Sequence, residues 1–339
     1  MSNNKRKNIL IDRDKSRNNK RPRFNVEKYS VNSIKDLIKI GNSFNFYKNI
    51  DIVMLWRILP HLEELDKMIG MNSLKETLFF QLIYYLQKMH TKNKNEEYLH
   101  TIIMGSPGHG KTEVAKILGK IYESIGILSS SKNFKIAYRD DFIAEFLGQT
   151  AIKTRKLLNS CIGGVLFIDE VYSLAPRDKD KDSFSKEALD TLTSFLSEHK
   201  NDFCCIAAGY EEDIQKCFFA MNKGLERRFT WIHKIDDYTS EQLMEILKVK
   251  IIEMKWGMSF ETKDVIELIN NNKDRFKNAG GDIETFLTKC KMIHSKRVFS
   301  LSKKHKFVIT KEDLINTMEY INKNFKKPEV NKSFYEMYT

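Results

Sequence analysis

Hydrophobic and polar positions divide the chain into zones. Residues 1–45 are polar, basic and weakly periodic, the pattern of a disordered arm. Between residues 50 and 65 the run IDIVMLWRILPHLEEL is apolar at helical spacing, with Pro60 expected to kink or divide it. Residues 73–90 read as an amphipathic helix, with Ser73 as N-cap and Glu76 completing a capping box. Strand-like and helix-like runs then alternate. Strands are predicted at 100–104, 134–138, 164–168, 203–208 and 230–235, and helices at 111–124, 139–147, 150–160, 185–199 and 211–219. Such alternation predicts a parallel sheet covered by helices on both faces. After about residue 237 the strand signals vanish, and 239–256, 261–272, 282–299 and 311–323 read as helices. The expected organisation is an arm over 1–45, a helical linker region over 46–99, an αβα core over 100–236, a small all-helical domain over 237–325 and a tail over 326–339.

Composition narrows this picture. No stretch approaches the roughly 20 apolar residues of a membrane span, and the N-terminus has no apolar core of a secretory signal. The five cysteines lack metal-ligand spacing, and Cys204 and Cys205 sit in an apolar run, which points to buried thiols in a reducing, intracellular compartment. Net charge is +12, and residues 1–30 alone carry ten Lys/Arg against three acids. That arm reads as a solvated tail, a nucleic-acid contact or a nuclear address. A cytoplasmic protein is expected, or a nuclear one if the arm is an address.

The chemistry begins at Gly105-Ser106-Pro107-Gly108-His109-Gly110-Lys111-Thr112, which matches G-x-x-x-x-G-K-[ST] after a predicted strand and before a predicted helix. Glycines let backbone N–H groups converge on phosphate oxygens, and the helix adds its positive end. Lys111 reaches the β/γ-phosphates and the Thr112 hydroxyl ligates Mg²⁺; His109 fills a free position of the motif. Downstream, Val165–Ile168 is a fully apolar strand run ending in Asp169-Glu170. Carboxylates there face the ligand crevice of an open α/β sheet. Asp169 is the Mg²⁺ acid and Glu170 the residue that orients or deprotonates the attacking water. The substrate implied is ATP with Mg²⁺. Arg227 and Arg228 precede the last predicted strand, where a cation can reach a neighbouring subunit's γ-phosphate; a surface ion pair is the plainer reading.

Taken together, the segments LDKMIGMNSLK (65–75), MGSPGHGKTEVAKILGKIY (104–122), AYRDDFIAEFLGQTAIKT (137–154), GGVLFIDEVYSLAP (163–176), AAGYEEDI (207–214), NKGLERRF (222–229) and DDYTSEQLMEI (236–246) resemble the AAA+ ATPases, and within them the CbbX/CfxQ–SpoVK branch. The resemblance implies a P-loop αβα sandwich followed by a helical lid, and a homo-oligomer, a hexamer in the family. It implies that Arg228 is the arginine finger, with Arg227 as the fallback, and that Met68, Ile69 and Gly70 touch adenine. It implies that Phe146, Leu147 and Gly148 form a pore loop gripping a polypeptide, the alternative being a helix end with Phe146 packed inside. Two departures stand out. Tyr210 occupies the usual first sensor position. Gly280, within Lys277-Asn278-Ala279-Gly280, falls where the family's second sensor carries arginine, with Asp282 close behind as an acid beside the missing cation or a helix cap. The expected function is Mg-ATP-driven remodelling or threading of an unidentified protein client. A nucleic-acid motor or loader using the basic arm is the first alternative, and a non-hydrolysing scaffold the second. No membrane partner is expected.

Overall fold

The computed structural model describes residues 31–43, 49–91, 98–129, 133–146, 148–175 and 183–325. Five parallel strands form one sheet in the order β2-β3-β4-β1-β5: β1 (Thr101–Met104), β2 (Phe134–Ala137), β3 (Val165–Ile168), β4 (Cys204–Gly209) and β5 (Trp231–Lys234). All strand pairs are parallel. Alternate strand residues enter two separate cores, as the period of two requires. Ile103, Val165, Phe167, Cys204 and Ile206 face one side, and Ile102, Leu166, Ile168, Cys205 and Ala207 face the other. Both faces are therefore covered, which is why these strands read as unbroken apolar runs.

The first face is covered by α1 (Ile34–Asn42), α2 (Ile52–Lys67), α3 (Asn72–Leu86) and α4 (Lys111–Ser124). The second is covered by α5 (Thr150–Asn159) and α6 (Ser183–Glu198). A third core belongs to α7 (Ser240–Glu253), α8 (Thr262–Asn270), α9 (Ala279–Val298) and α10 (Lys311–Asn324). No helix among the described residues is long and apolar enough to cross a membrane.

Several expectations need correction. The arm does not extend to residue 45, because Ile34, Leu37 and Ile40 of α1 are buried in the first core and Ser33 caps the helix through Asp36 N. Pro60 does not divide α2, which runs from Ile52 to Lys67. Leu55, Ile58, Leu59, Leu62 and Leu65 are buried while Pro60 is exposed, so burial outweighs the lost backbone bond. Ser73 is not an N-cap. The helix starts at Asn72, and Ser73 N and Oγ donate to Asp236 Oδ2 and Oδ1 at 3.0 and 2.7 Å, so a carboxylate from beyond β5 takes the capping role. The predicted helix over 139–147 shrinks to the single turn Arg139–Phe142. The C-terminal domain is not all-helical: β6 (Gly257–Ser259) pairs in parallel with β7 (Val308–Thr310). These three-residue strands are too short to show a period of two.

Candidate nucleotide site

The loops after β1, β3 and β4 leave the sheet at the same end, since the strands are parallel. They converge on a cleft of about 630 Å³ whose walls include Gly108, Lys111, Thr112, Asp169, Glu170 and Tyr210. Gly108 (φ +70°) and Gly110 (φ +81°) adopt left-handed backbone conformations that let the loop curl, and Gly110 is the N-cap of α4. Lys111 Nζ donates to the Gly105 and Ser106 carbonyls at 3.0 and 3.1 Å. Burial lowers its pKa, with Asp169 and Glu170 opposing that shift. The Lys111 ammonium therefore stands in a partly desolvated pocket beside two carboxylates, where a phosphate would be held strongly.

Glu170 is exposed and has φ +48°, a left-handed conformation uncommon for a non-glycine residue. Its backbone N donates to Asp169 Oδ1 at 3.1 Å, and its carbonyl accepts from Ser173 N at 2.7 Å. The tight turn thus projects both acids from one strand end. Tyr172 lies below them, its phenol pushed well above the ordinary range by burial first and by Glu170 next. It stacks on Tyr210 at 5.7 Å, and Lys111 Nζ lies 5.9 Å from the Tyr210 ring. A Cβ at Gly209 would meet the Tyr172 ring at 2.8 Å, so glycine there admits this aromatic wall. The hydroxyl of Thr112 and the carboxylate of Asp169 line the cleft together, a hard-oxygen donor set that fits Mg²⁺ held partly by phosphates.

The far side of the cleft is apolar. Met68, Ile69, Met71, Tyr238, Ile246 and Val249 line it. Lys75 Nζ donates to the Met68 and Asp66 carbonyls, fixing the Met68–Gly70 turn, and Gly70 (φ +69°) packs so closely that a Cβ would meet Tyr238 at 3.1 Å. Ser106, Pro107 and Gly105 complete the phosphate loop, with Gly105 against Ile235. The His109 ring is buried: Nδ1 donates to the Pro107 carbonyl at 2.9 Å and the ring packs on Tyr238 at 5.1 Å.

The lid helix α9 begins directly on the phosphate loop. A Cβ on Gly108 would lie 2.2 Å from the Asn278 carbonyl oxygen, and one on Gly280 would lie 3.0 Å from the Gly108 carbonyl oxygen. Where the family pattern carries an arginine, this chain brings backbone against backbone. The helix starts at Ala279 rather than at 282, and Asp282 reaches back to accept from Asn278 N at 2.7 Å.

Arg228 lies elsewhere. It precedes β5, at the end of the sheet opposite the cleft, half-buried, with Nε donating to Ser197 Oγ and Nη1 to the Gly224 carbonyl, both at 2.6 Å. Arg227 is exposed. Phe146 is 65% exposed in a turn, so it is not packed inside a helix end, and Gly148 beside it has φ +79°; Leu147 lies outside the described residues. Sequence reasoning missed Tyr172, Lys75, Asp236 and Tyr238. All four stand in segments that carry the resemblance, Lys75 in 65–75, Tyr172 in 163–176, and Asp236 and Tyr238 in 236–246, but nothing in those segments singles them out.

Residues 101–230 match the ATPase family associated with various cellular activities (AAA). The chain is 42% identical over 272 residues to a cfxQ-like protein of Acanthamoeba polyphaga mimivirus, covering 78% of this chain and 66% of that one, just under two thirds of its length. It is 36% identical over 233 residues to stage V sporulation protein K of Bacillus subtilis, covering 66% and 71% respectively. A CfxQ homologue of Galdieria sulphuraria is 34% identical over 268 residues, with 76% of this chain and 85% of that one covered. Among solved structures, the RuvB Holliday junction branch migration motor of Thermotoga maritima is similar with a TM-score of 0.51 over 76% of this chain and 72% of that one. At 20% identity that likeness concerns the fold alone.

Proposed function

The chain belongs to the CfxQ–SpoVK branch of the AAA+ ATPases and is an ATP-hydrolysing enzyme, and from that premise we propose that it works as a ring of identical subunits coupling Mg-ATP turnover to remodelling or threading of a protein partner. Lys111 neutralises the β/γ-phosphates while the N–H groups of Gly105–Thr112 cradle them, and Ile69 and Gly70 form the adenine wall. Thr112 and Asp169 are the residues to hold Mg²⁺, which would offset charge on the phosphate oxygens. Glu170 orients or deprotonates the water, and Arg228 completes the site of a neighbouring copy. Phe146, Leu147 and Gly148 contact the client. We take the core to end near residue 236 and the lid to begin near 237.

The observation that carries this reading is the placement of Arg228. It precedes β5, at the end of the sheet opposite the strand ends that Lys111 and Asp169 follow, which supports a role exercised on a neighbouring copy rather than on its own site. The test is phosphate release from Mg-ATP by the purified protein, with Glu170→Gln as control, alongside its mass in solution with ATP. Mg²⁺-dependent release lost in the control, from a ring-sized species, is the expected result. Turnover by a monomer would overturn the ring.

The net +7 of residues 1–30 favours a second reading, an AAA+ motor or loader on nucleic acid. Stimulation of phosphate release by DNA, lost when the arm's cations are replaced, would place it ahead of the protein-remodelling reading.

A further inference from the structure

Basic charge outside the N-terminal arm is concentrated in one place. Residues 285–311 carry eight Lys/Arg and no Asp or Glu. With the arm's excess this surpasses the whole +12 of the chain, so everything else is net acidic. Within the stretch, Arg297 and Lys311 are committed to Asp313 and Asp264, and Lys289 Nζ lies over the Phe325 ring at 3.6 Å. Lys296, Lys303, Lys304 and Lys306 are exposed, and none forms an ion pair among the described residues. Between them stand exposed apolar side chains: Phe299 at 92%, with Leu301 and Phe307.

A buried network holds this loop in place. His294 Nε2 donates to the Lys306 carbonyl at 2.9 Å, and its Nδ1 lies 3.0 Å from Asp313 Oδ2. Arg297 donates to both Asp313 oxygens, at 2.7 and 2.8 Å, and to the Val308 carbonyl at 3.3 Å. Phe307 packs on Trp256 at 5.5 Å, and its carbonyl accepts from Gly257 N at 2.7 Å. The loop is thus folded back on α9 and fixed, with Phe299 still uncovered.

We propose that the lid loop 299–307, with Lys296, is a docking surface for single-stranded nucleic acid. Lysines on flexible stems contact phosphates, and Phe299 offers a ring on which an unpaired base stacks. Cations alone would suit any polyanion, but an exposed ring among them selects one with bases to stack. An ordinary protein face is a poorer match, because docking would desolvate four lysines that form no ion pair, Lys306 Nζ having only the Phe307 ring at 5.4 Å, and lysine is depleted in interface cores. Duplex is poorer too, since its bases are already stacked. The surface lies at the far end of α9, roughly 30 Å along the helix from the phosphate loop, so it is separate from the nucleotide site and does not depend on how that site works.

The test uses the full chain and a fluorescently labelled oligo-dT of about 20 nucleotides, followed by anisotropy across a salt series. Lys303→Glu/Lys304→Glu/Lys306→Glu is expected to weaken binding at least tenfold and to reduce the salt slope by about 2, near 0.7 for each phosphate no longer neutralised. Phe299→Ala, at a side chain with little packing to lose, is expected to weaken binding about fivefold or more and leave the slope unchanged. Lys5→Gln/Arg6→Gln/Lys7→Gln separates the arm's contribution. Should the triple variant unfold, Lys296→Gln and Phe299→Ala carry the test. The proposal fails if the loop variants bind like the parent protein. It fails equally if duplex DNA, poly-glutamate or anionic phospholipid vesicles compete as well as the single strand does.

Discussion

His109 Nε2 lies 3.5 Å from Asp237 Oδ1, joining the apex of the phosphate loop to the hinge between the sheet and the lid. The same ring donates through Nδ1 to the Pro107 carbonyl and packs on Tyr238, whose hydroxyl donates to the His109 carbonyl at 3.4 Å. Tyr238 in turn closes over Gly70. Phosphate loop, the Met68–Gly70 turn proposed to hold adenine, and hinge therefore meet at one buried imidazole. His109→Ala should raise the KM for ATP by about tenfold, on the order of 1.4 kcal/mol, and lower kcat less. His109→Asn, which keeps a donor near Pro107, should recover part of the loss. Kinetics in which both variants match the parent would leave His109 as filler in a free motif position.

Arg228→Ala should abolish turnover, on the order of a thousandfold, while nucleotide binding measured by fluorescence titration stays intact. The decisive version mixes subunits. Lys111→Ala subunits lack a working site but keep their arginine, and Arg228→Ala subunits keep the site but lack the arginine. A mixture should recover activity that neither has alone, because the arginine acts on another copy. Ser197→Ala frees Nε of its 2.6 Å bond and should lower kcat by a smaller factor.

Legibility followed the range of each signal. Strands buried on both faces and the glycine pattern of Gly105–Thr112 are local, and the sequence announced the sheet, its helical layers and the Lys111–Asp169–Glu170 grouping. What it hid depends on distant partners. The capping of α3 by Asp236 joins residues 163 positions apart, so Ser73 followed by Glu76 was a plausible but false cap. Helix α1 is short and sits beside a basic arm, and its order comes from burial against α2 rather than from propensity. The His109 position has no motif preference, and only the fold reveals the hinge behind it.

Acid should act on stability in two ranges. His100 is buried with Nε2 donating to the Leu196 carbonyl at 3.0 Å and Nδ1 accepting from Cys205 N at 3.2 Å, bonds that fit only the neutral ring. Burial depresses the pKa of His100, and likewise that of His233, from the ordinary 6.5 to about 4. The unfolded chain protonates both near 6.5, so their stabilisation is complete above that pH and is lost as pH falls through 4. Asp313 behaves similarly at lower pH. Burial alone would raise it, but bonds from Arg297, Thr310 and His294 outweigh burial and hold it at about 2, below the ordinary 3.8. Its contribution, about 2 kcal/mol, is lost between 3.8 and 2. Urea unfolding at pH 7.5, 5.5 and 4 should show a fall of a few kcal/mol below 6.5, reduced in His100→Gln. A stability that is flat from 7.5 to 4 would contradict the neutral assignment.

The contact between the phosphate loop and the lid can be tested with a matched pair of glycines. Gly108 and Gly126 both hold left-handed backbones, at φ +70° and +79°. Alanine at either position costs roughly 1 kcal/mol of backbone strain. Their surroundings differ. A Cβ at Gly126 meets nothing within 4 Å, whereas one at Gly108 would lie 2.2 Å from the Asn278 carbonyl oxygen and 2.9 Å from Gly281 N. Both of those atoms are backbone and cannot swing aside, so Gly108→Ala must push the start of α9 off the phosphate loop. If lid contact helps to hold nucleotide, Gly108→Ala should weaken ATP binding at least tenfold while Gly126→Ala leaves it unchanged, with the larger drop in thermal midpoint for Gly108→Ala, which adds the clash to the shared strain. Equal nucleotide affinities in the two variants would mean that the backbone contact at Gly280 and Gly281 does no more than pack the lid.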